Sequence, residues 1–430
     1  MSRRQPPPVP GPKGPVLWQS VAVRTRPVEY LARARWRFGE VFALGLAPAG
    51  RLVAVCEPSA AVRLLEDCPR AGQANAATLP VVLAAGSVFF AEGAVSQHRR
   101  TMHRRWLETA MSADVEQRLV QVVDRSVSTW PIGRPFPLLP RMHQILAEAL
   151  SSLLVGSLSP GLRHDLVTAA RRLITLPVAA SIAVLEPYPA THPLAVALLD
   201  RHRRAFGRLA DAEIWRRQAS PASRTPTDAL GIMLDARDLH GRPFSAAAIR
   251  DDLVSLLVAL VDVQAISLTW AFERLARHPA IWARLHAAAD GDTAFRYAVA
   301  DEVLRTRPPI VGAFRTLDAP YSLTGRELPA GSRVMTAIPL IHRHPEAFPD
   351  PGAFRPERFI TGPPPAWLPF GAGARRCLGA DLARATLSTV IAAVTERTRL
   401  RPARSREETA WLVGTALLPT RRGSVVREPY

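Results

Sequence analysis

Lysine is almost missing from this 430-residue chain: Lys13 is the only one, so arginine supplies nearly all of its 55 basic residues and its net charge of +18. The arginines are spread along the chain rather than gathered with interleaved aromatics, which argues against a nucleic-acid surface and reads first as the coding bias of a GC-rich genome. A basic face for an acidic protein partner stays open. Cysteine is scarce too. Cys56, Cys68 and Cys377 lie far apart, which excludes a disulfide-stapled secreted scaffold and fits a reducing, cytoplasmic compartment. No uninterrupted run of about 18 apolar residues occurs, and residues 1–8 lack the apolar centre of a signal peptide, so the expectation is a soluble chain without a membrane anchor. The apolar fraction of 48% is ample for a large core, built as one domain or two.

The most informative stretch is 368–380, Leu-Pro-Phe-Gly-Ala-Gly-Ala-Arg-Arg-Cys-Leu-Gly-Ala. Gly371 and Gly373 relieve the backbone of a loop that delivers Cys377, and Gly379 stands where a helix through Asp381, Leu382 and Ala385 begins. A thiolate there gains from the helix N-terminus, from loop amides and from any metal it binds. The plainer reading is a buried structural cysteine ahead of a helix.

Phe370 to Gly379 resembles the haem-ligand signature of the cytochrome P450 superfamily, FxxGxRxCxG, with every specified position filled. The resemblance implies haem b, iron protoporphyrin IX, with Cys377 as axial thiolate, Arg375 on a propionate, Phe370 packed on the thiolate side, and Gly371, Gly373 and Gly379 shaping the loop against the cofactor. It also implies the fold: mainly α with small β sheets, a single cytochrome P450 domain over 17–430 after a proline-rich extended segment 1–16, and haem held between a long central helix and the cysteine loop.

Spacing of apolar residues predicts a helix over Pro27–Phe38, and strands over Val41–Leu46 and Arg51–Val55. Gln97 opens a strongly basic helix in which His98 matches a propionate-binding position, although its usual arginine partner four residues on is Met102. An exposed basic face is the competing reading there. The resemblance places two lid helices at Leu162–Ala180 and Pro193–Gln218.

The long helix between Ser245 and His278 ends in wording close to that of the family's central helix. In that register Ala259 to Gln264 occupies the oxygen-binding segment, usually Ala-Gly-x-(Asp/Glu)-Thr-Thr. Ala259 and Asp262 are kept, but the glycine is Leu260 and the two threonines are Val263 and Gln264. Asp262 and Gln264 are the candidates for proton delivery. Ala259, Leu260, Val263, Ile310 and Val311 are expected to line the substrate pocket. Glu302 and Arg305, three apart on one helix face, match the family's structural pair, with Arg358 as third member, and Arg315 matches a second propionate ligand.

The implied function is a haem-thiolate oxidoreductase that activates dioxygen to oxidise a small organic substrate, a specialised metabolite, with electrons from a separate ferredoxin or flavodoxin type donor. The altered oxygen segment motivates an alternative, oxidative carbon-carbon or carbon-nitrogen cross-linking of aromatic groups in a peptide or other natural product. A third reading is a haem-binding recruitment subunit that does not turn over.

Overall fold

The computed structural model describes residues 9–429 apart from 48–49, 69–82, 111, 157–160, 162–163, 170–171, 173–192, 221–227 and 288–290. In chain order the helices are α1 (Val16–Thr25), α2 (Pro27–Phe38), α3 (Pro58–Asp67), α4 (Gly93–Ala110), α5 (Ala113–Ser128), α6 (Leu139–Val155), α7 (Pro193–Ala219), α8 (Ala229–Asp235), α9 (Ala246–Leu275), α10 (Pro279–Ala287), α11 (Thr293–Thr306), α12 (Ile338–Ile341) and α13 (Ala380–Arg397). The strands are β1 (Val41–Leu46), β2 (Gly50–Val55), β3 (Pro135–Pro137), β4 (Gly312–Thr316), β5 (Tyr321–Leu323), β6 (Arg326–Leu328), β7 (Arg333–Ala337), β8 (Arg399–Pro402), β9 (Ala410–Val413), β10 (Ala416–Pro419) and β11 (Ser424–Glu428).

The fold is mainly α with small sheets, as the sequence implied. The hairpin β1–β2 pairs Val41 with Val55 and is extended by distant chain: β7 runs parallel to β2, and β4 antiparallel to β7. The expected helix over Pro27–Phe38 and the first strand have the expected bounds, the second strand starts one residue early at Gly50, and the second lid helix, α7, ends at Ala219. The first lid helix, Leu162–Ala180, lies largely outside the described residues. Of the proline-rich segment, the Pro10 carbonyl accepts the Ala43 N–H at 2.7 Å, and α1 begins at Val16.

The centre of the molecule is α9. Ser245 caps it, its hydroxyl accepting the Ala248 N–H, and thirty residues follow without glycine or proline. It is long and apolar enough to cross a membrane by composition, but most of it is buried against α6, α7, α11 and α13. A helix apolar on every side is a core helix when other elements cover it. Each of Leu253, Leu257 and Leu268, fully buried, contributes about 1.5–3 kcal/mol of transfer free energy, which fixes the helix without polar interactions.

Below it, a buried ion network ties α11 to the chain ahead of the cysteine loop. Arg305 donates to Glu302 through Nε (2.7 Å) and Nη2 (2.8 Å), and also reaches the carbonyls of His342, Pro351 and Ala353 at 2.9–3.0 Å. Glu302 further accepts the Arg355 N–H at 2.7 Å and Arg358 Nε at 3.3 Å. His342 extends the network: its Nε2 accepts the Leu368 N–H at 2.8 Å, at the first residue of the cysteine loop.

Complete burial and the Arg305 charge push the His342 pKa down to about 3. An unfolded histidine titrates near 6.5, so between about pH 6.5 and 3 the unfolded chain binds a proton that the folded one refuses. The resulting stability is full above about pH 6.5 and is lost as pH falls, by up to about 1.4 kcal/mol per pH unit. His342→Gln keeps an acceptor but no titration. Urea unfolding measured in steps from about pH 7 to 5 is expected to show a shallower acid loss by one proton than the wild type.

Candidate active site

The cysteine loop owes its course to two glycines in the left-handed region. Gly371 (φ 67°) turns the chain so that the Cys377 N–H reaches the Phe370 carbonyl at 2.9 Å. Gly373 (φ 66°) lies against the end of α3, where a Cβ would collide with the Leu65 carbonyl oxygen. The loop then enters α13 through Gly379, whose N–H is directed at the Cys377 sulfur. Phe370 packs edge-on against Trp367, with ring centroids 5.7 Å apart.

Cys377 opens into an internal cavity of about 410 Å³ between this loop and α9. Protein surrounds the thiol closely even though the sulfur side faces open space. Burial raises its pKa, while the Gly379 N–H and the charges of Arg100 and Arg376 work against that rise.

Three arginines, Arg100, Arg315 and Arg375, line the cavity, and no acidic residue does among the described residues. Arg315 donates through Nε to the Cys68 carbonyl (2.6 Å) and through Nη1 to the Phe314 carbonyl (2.9 Å), and burial with the nearby Arg375 lowers its pKa to about 10. Arg375 Nη2 donates to the Ala91 carbonyl at 2.9 Å. The Glu92 charge acts on Arg375 from outside the lining, and three guanidinium groups around one space with no acid in the lining itself favour an anionic occupant. The rest of the lining is predominantly apolar, including Leu256, Ile310, Phe314, Leu378 and Leu387. This donor set suits a flat, largely apolar group that carries carboxylates and a metal with affinity for a thiolate.

The opposite wall is α9, which contributes Ala259, Leu260, Val263 and Gln264 to the lining. Val263 presents methyl groups where a hydroxyl would serve as donor, and the one hydroxyl among the described lining residues, Ser267 Oγ, is spent on the Val263 carbonyl at 2.9 Å. Gln264 Nε2 folds back onto the Leu260 carbonyl at 2.7 Å, which leaves its buried Oε1 without a partner among the described residues.

The structure does not bring every expected residue here. Asp262 turns away from the cavity and accepts from His143 Nε2 of α6 at 2.9 Å. His98 is not in the lining: its Nε2 lies 2.6 Å from the Arg237 carbonyl and its ring stacks on Phe244. Arg99 and His103 are drawn instead to the buried Asp252 of α9, at 2.7 and 2.8 Å. Val311 faces the other way from Ile310, into the core behind the first sheet, as neighbours in extended chain do. Gly373 supports the loop from outside the lining.

Conversely, the sequence pattern did not single out Arg100. Its Nη2 holds the Arg376 carbonyl at 2.5 Å, beside Cys377. The usable signal was periodicity: Arg100 and Leu107 are seven residues apart, two helical turns, and both reach the cavity.

Comparison with known proteins places this geometry. The cytochrome P450 family profile matches residues 7–425. A putative cytochrome P450 135B1 of Mycobacterium tuberculosis (strain ATCC 25618 / H37Rv) is 32% identical over 430 residues, covering 97% of this chain and 90% of the relative. A putative cytochrome P450 138 of Mycobacterium bovis is 31% identical over 428 residues, covering 97% and 95%. Among solved structures, the cytochrome P450DA heme domain superposes with a TM-score of 0.78 at 19% identity, covering 99% of both chains. Retinoic acid bound cyanobacterial CYP120A1 also gives 0.78, at 22% identity, covering 99% of this chain and 100% of that one.

Proposed function

Since the chain belongs to the cytochrome P450 family, and is therefore a haem-thiolate monooxygenase, we propose that Cys377 is the ligating cysteine and that the cavity above it oxidises a small organic molecule of the kind specialised metabolism supplies. The observation that carries this reading is the acid-free cavity in which one thiol and three arginines face an apolar lining. Haem b, when bound there, supplies dioxygen activation at an iron made electron-rich by its thiolate. Arg100, Arg315 and Arg375 are assigned to its propionates, and the Gly379 N–H with Arg376 to the thiolate charge.

On the α9 wall, Leu260 and Val263 narrow the space and give water no donor. We assign Gln264 Oε1, an unpartnered acceptor, to hold the water through which protons enter. Asp262, engaged by His143, serves to fix α9 against α6 rather than to carry the proton. Electrons come from a separate donor of ferredoxin or flavodoxin type. The exposed Arg104 and Arg105 of α4 and the exposed Arg376 of the loop favour an acidic partner, whose association weakens as salt rises.

Val263→Thr supplies the missing hydroxyl without changing side-chain volume. The expected result is a larger share of consumed reductant recovered in product and less released as hydrogen peroxide, measured on the same substrate. Unchanged coupling would remove Val263 from the account.

The same wall, whose one hydroxyl is engaged by the Val263 carbonyl, favours a second reading, oxidative cross-linking of aromatic groups. Product mass separates the two, since monooxygenation adds one oxygen atom and cross-linking removes two hydrogens.

A further inference from the structure

A second cavity, of about 390 Å³, lies on the other side of the segment that carries Ile310. Thr306, Arg307 and Pro308 line this outer cavity, whereas Pro309 and Ile310 line the first, so one stretch of backbone is a wall of both. The outer cavity is floored by Trp270, and the Arg307 guanidinium stands 5.4 Å from that ring centroid.

Its arginines hold more N–H donors than there are acceptors to receive them. Arg307 Nη2 donates to Glu407 at 2.7 Å and Nη1 to the Thr306 carbonyl at 3.3 Å, while its buried Nε has no partner among the described residues. Arg343 Nη2 reaches the same Thr306 carbonyl, also at 3.3 Å, the one hydrogen bond its side chain makes among the described residues. Glu407 is itself divided, because Arg274 Nη1 takes its other oxygen at 2.9 Å, and Arg274 Nη2 has no partner among the described residues.

Two other carboxylates border the space but do not fill the deficit. Glu408 accepts the N–H groups of Arg421 and Ser424, and Glu29 acts on Arg343 through space without a hydrogen bond. Burial depresses both guanidinium groups, helped by the charges of Arg274 and Arg343 at Arg307, which falls to about 10, and by those of Arg305 and Arg274 at Arg343.

We propose that this outer cavity is a binding site for a small oxyanion, a carboxylate or a phosphate, gripped between Arg307 and Arg343 over the face of Trp270. Planar guanidinium groups match both anions through paired N–H bonds. The site needs nothing from the haem side, so it stands or falls independently of the proposed reaction.

The test is calorimetric titration of the holoprotein with inorganic phosphate and, separately, malonate, at constant ionic strength. One saturable site for either anion is expected, and which of them saturates identifies the ligand chemistry. Arg343→Gln is expected to weaken it about tenfold, the loss of a charge-assisted pair. Glu407→Gln removes the competing negative charge and one of its two acceptor oxygens and is expected to tighten binding several-fold, a gain that a damaged fold does not give. Arg242→Gln, an exposed change of the same charge at the opposite end of α9, is expected to leave it unchanged. Absence of saturable binding, equal weakening by Arg242→Gln and Arg343→Gln, or weaker binding in Glu407→Gln overturns the proposal.

Discussion

Replacing Arg305 with leucine is expected to cost about 3–5 kcal/mol, the usual loss when one member of a buried ion pair is removed. Against a total stability on the order of 5–15 kcal/mol, that is from about a fifth of the margin to all of it. The size follows from what is stranded. Glu302, with no exposed side-chain surface, keeps only Arg358 at 3.3 Å and the Arg355 N–H, and three backbone carbonyls lose their donor together. Lysine is not a rescue, since a single ammonium cannot span two carboxylate oxygens and three carbonyls. The double change Glu302→Leu, Arg305→Leu is expected to cost less than the sum of the singles, because neither charge is then left alone. Chemical unfolding of the three variants measures this directly.

The second large effect falls on turnover. Cys377→Ala is expected to reduce oxygen-dependent activity to background while leaving the fold near wild type. The sulfur's protein contact is one N–H from Gly379, and the cavity behind it tolerates a smaller group. The contrast with Arg305 matters: on this account Cys377 is expected to carry chemistry with little stability, and Arg305 stability with no chemistry. Thermal unfolding and activity measured on both variants are expected to separate cleanly.

How much of this was legible in the sequence depended on whether local chain or distant chain decides a position. The cysteine loop was, because glycines at 371 and 373 and the helix start at 379 set its course within a dozen residues, and Glu302 with Arg305 was, because i,i+3 on a helix is a local spacing. The first hairpin followed from strict local pattern. Side-chain direction on α9 and α4 was not. Asp262 is committed by His143, 119 positions away, and His98 by the carbonyl of Arg237, 139 positions away. A motif frame counts residues from a familiar landmark, whereas the face a helix presents is set by its packing, and that is how Arg100 rather than His98 comes to the cavity.

The central claim is that Cys377 holds haem iron through its thiolate in the cavity beneath α9. The most direct test is the carbon monoxide difference spectrum of the reduced protein, recorded for the wild type and for Cys377→Ala at equal haem content. The account predicts the long-wavelength band of thiolate ligation in the wild type and its complete loss in the variant. A thiolate band that survives in Cys377→Ala would contradict it.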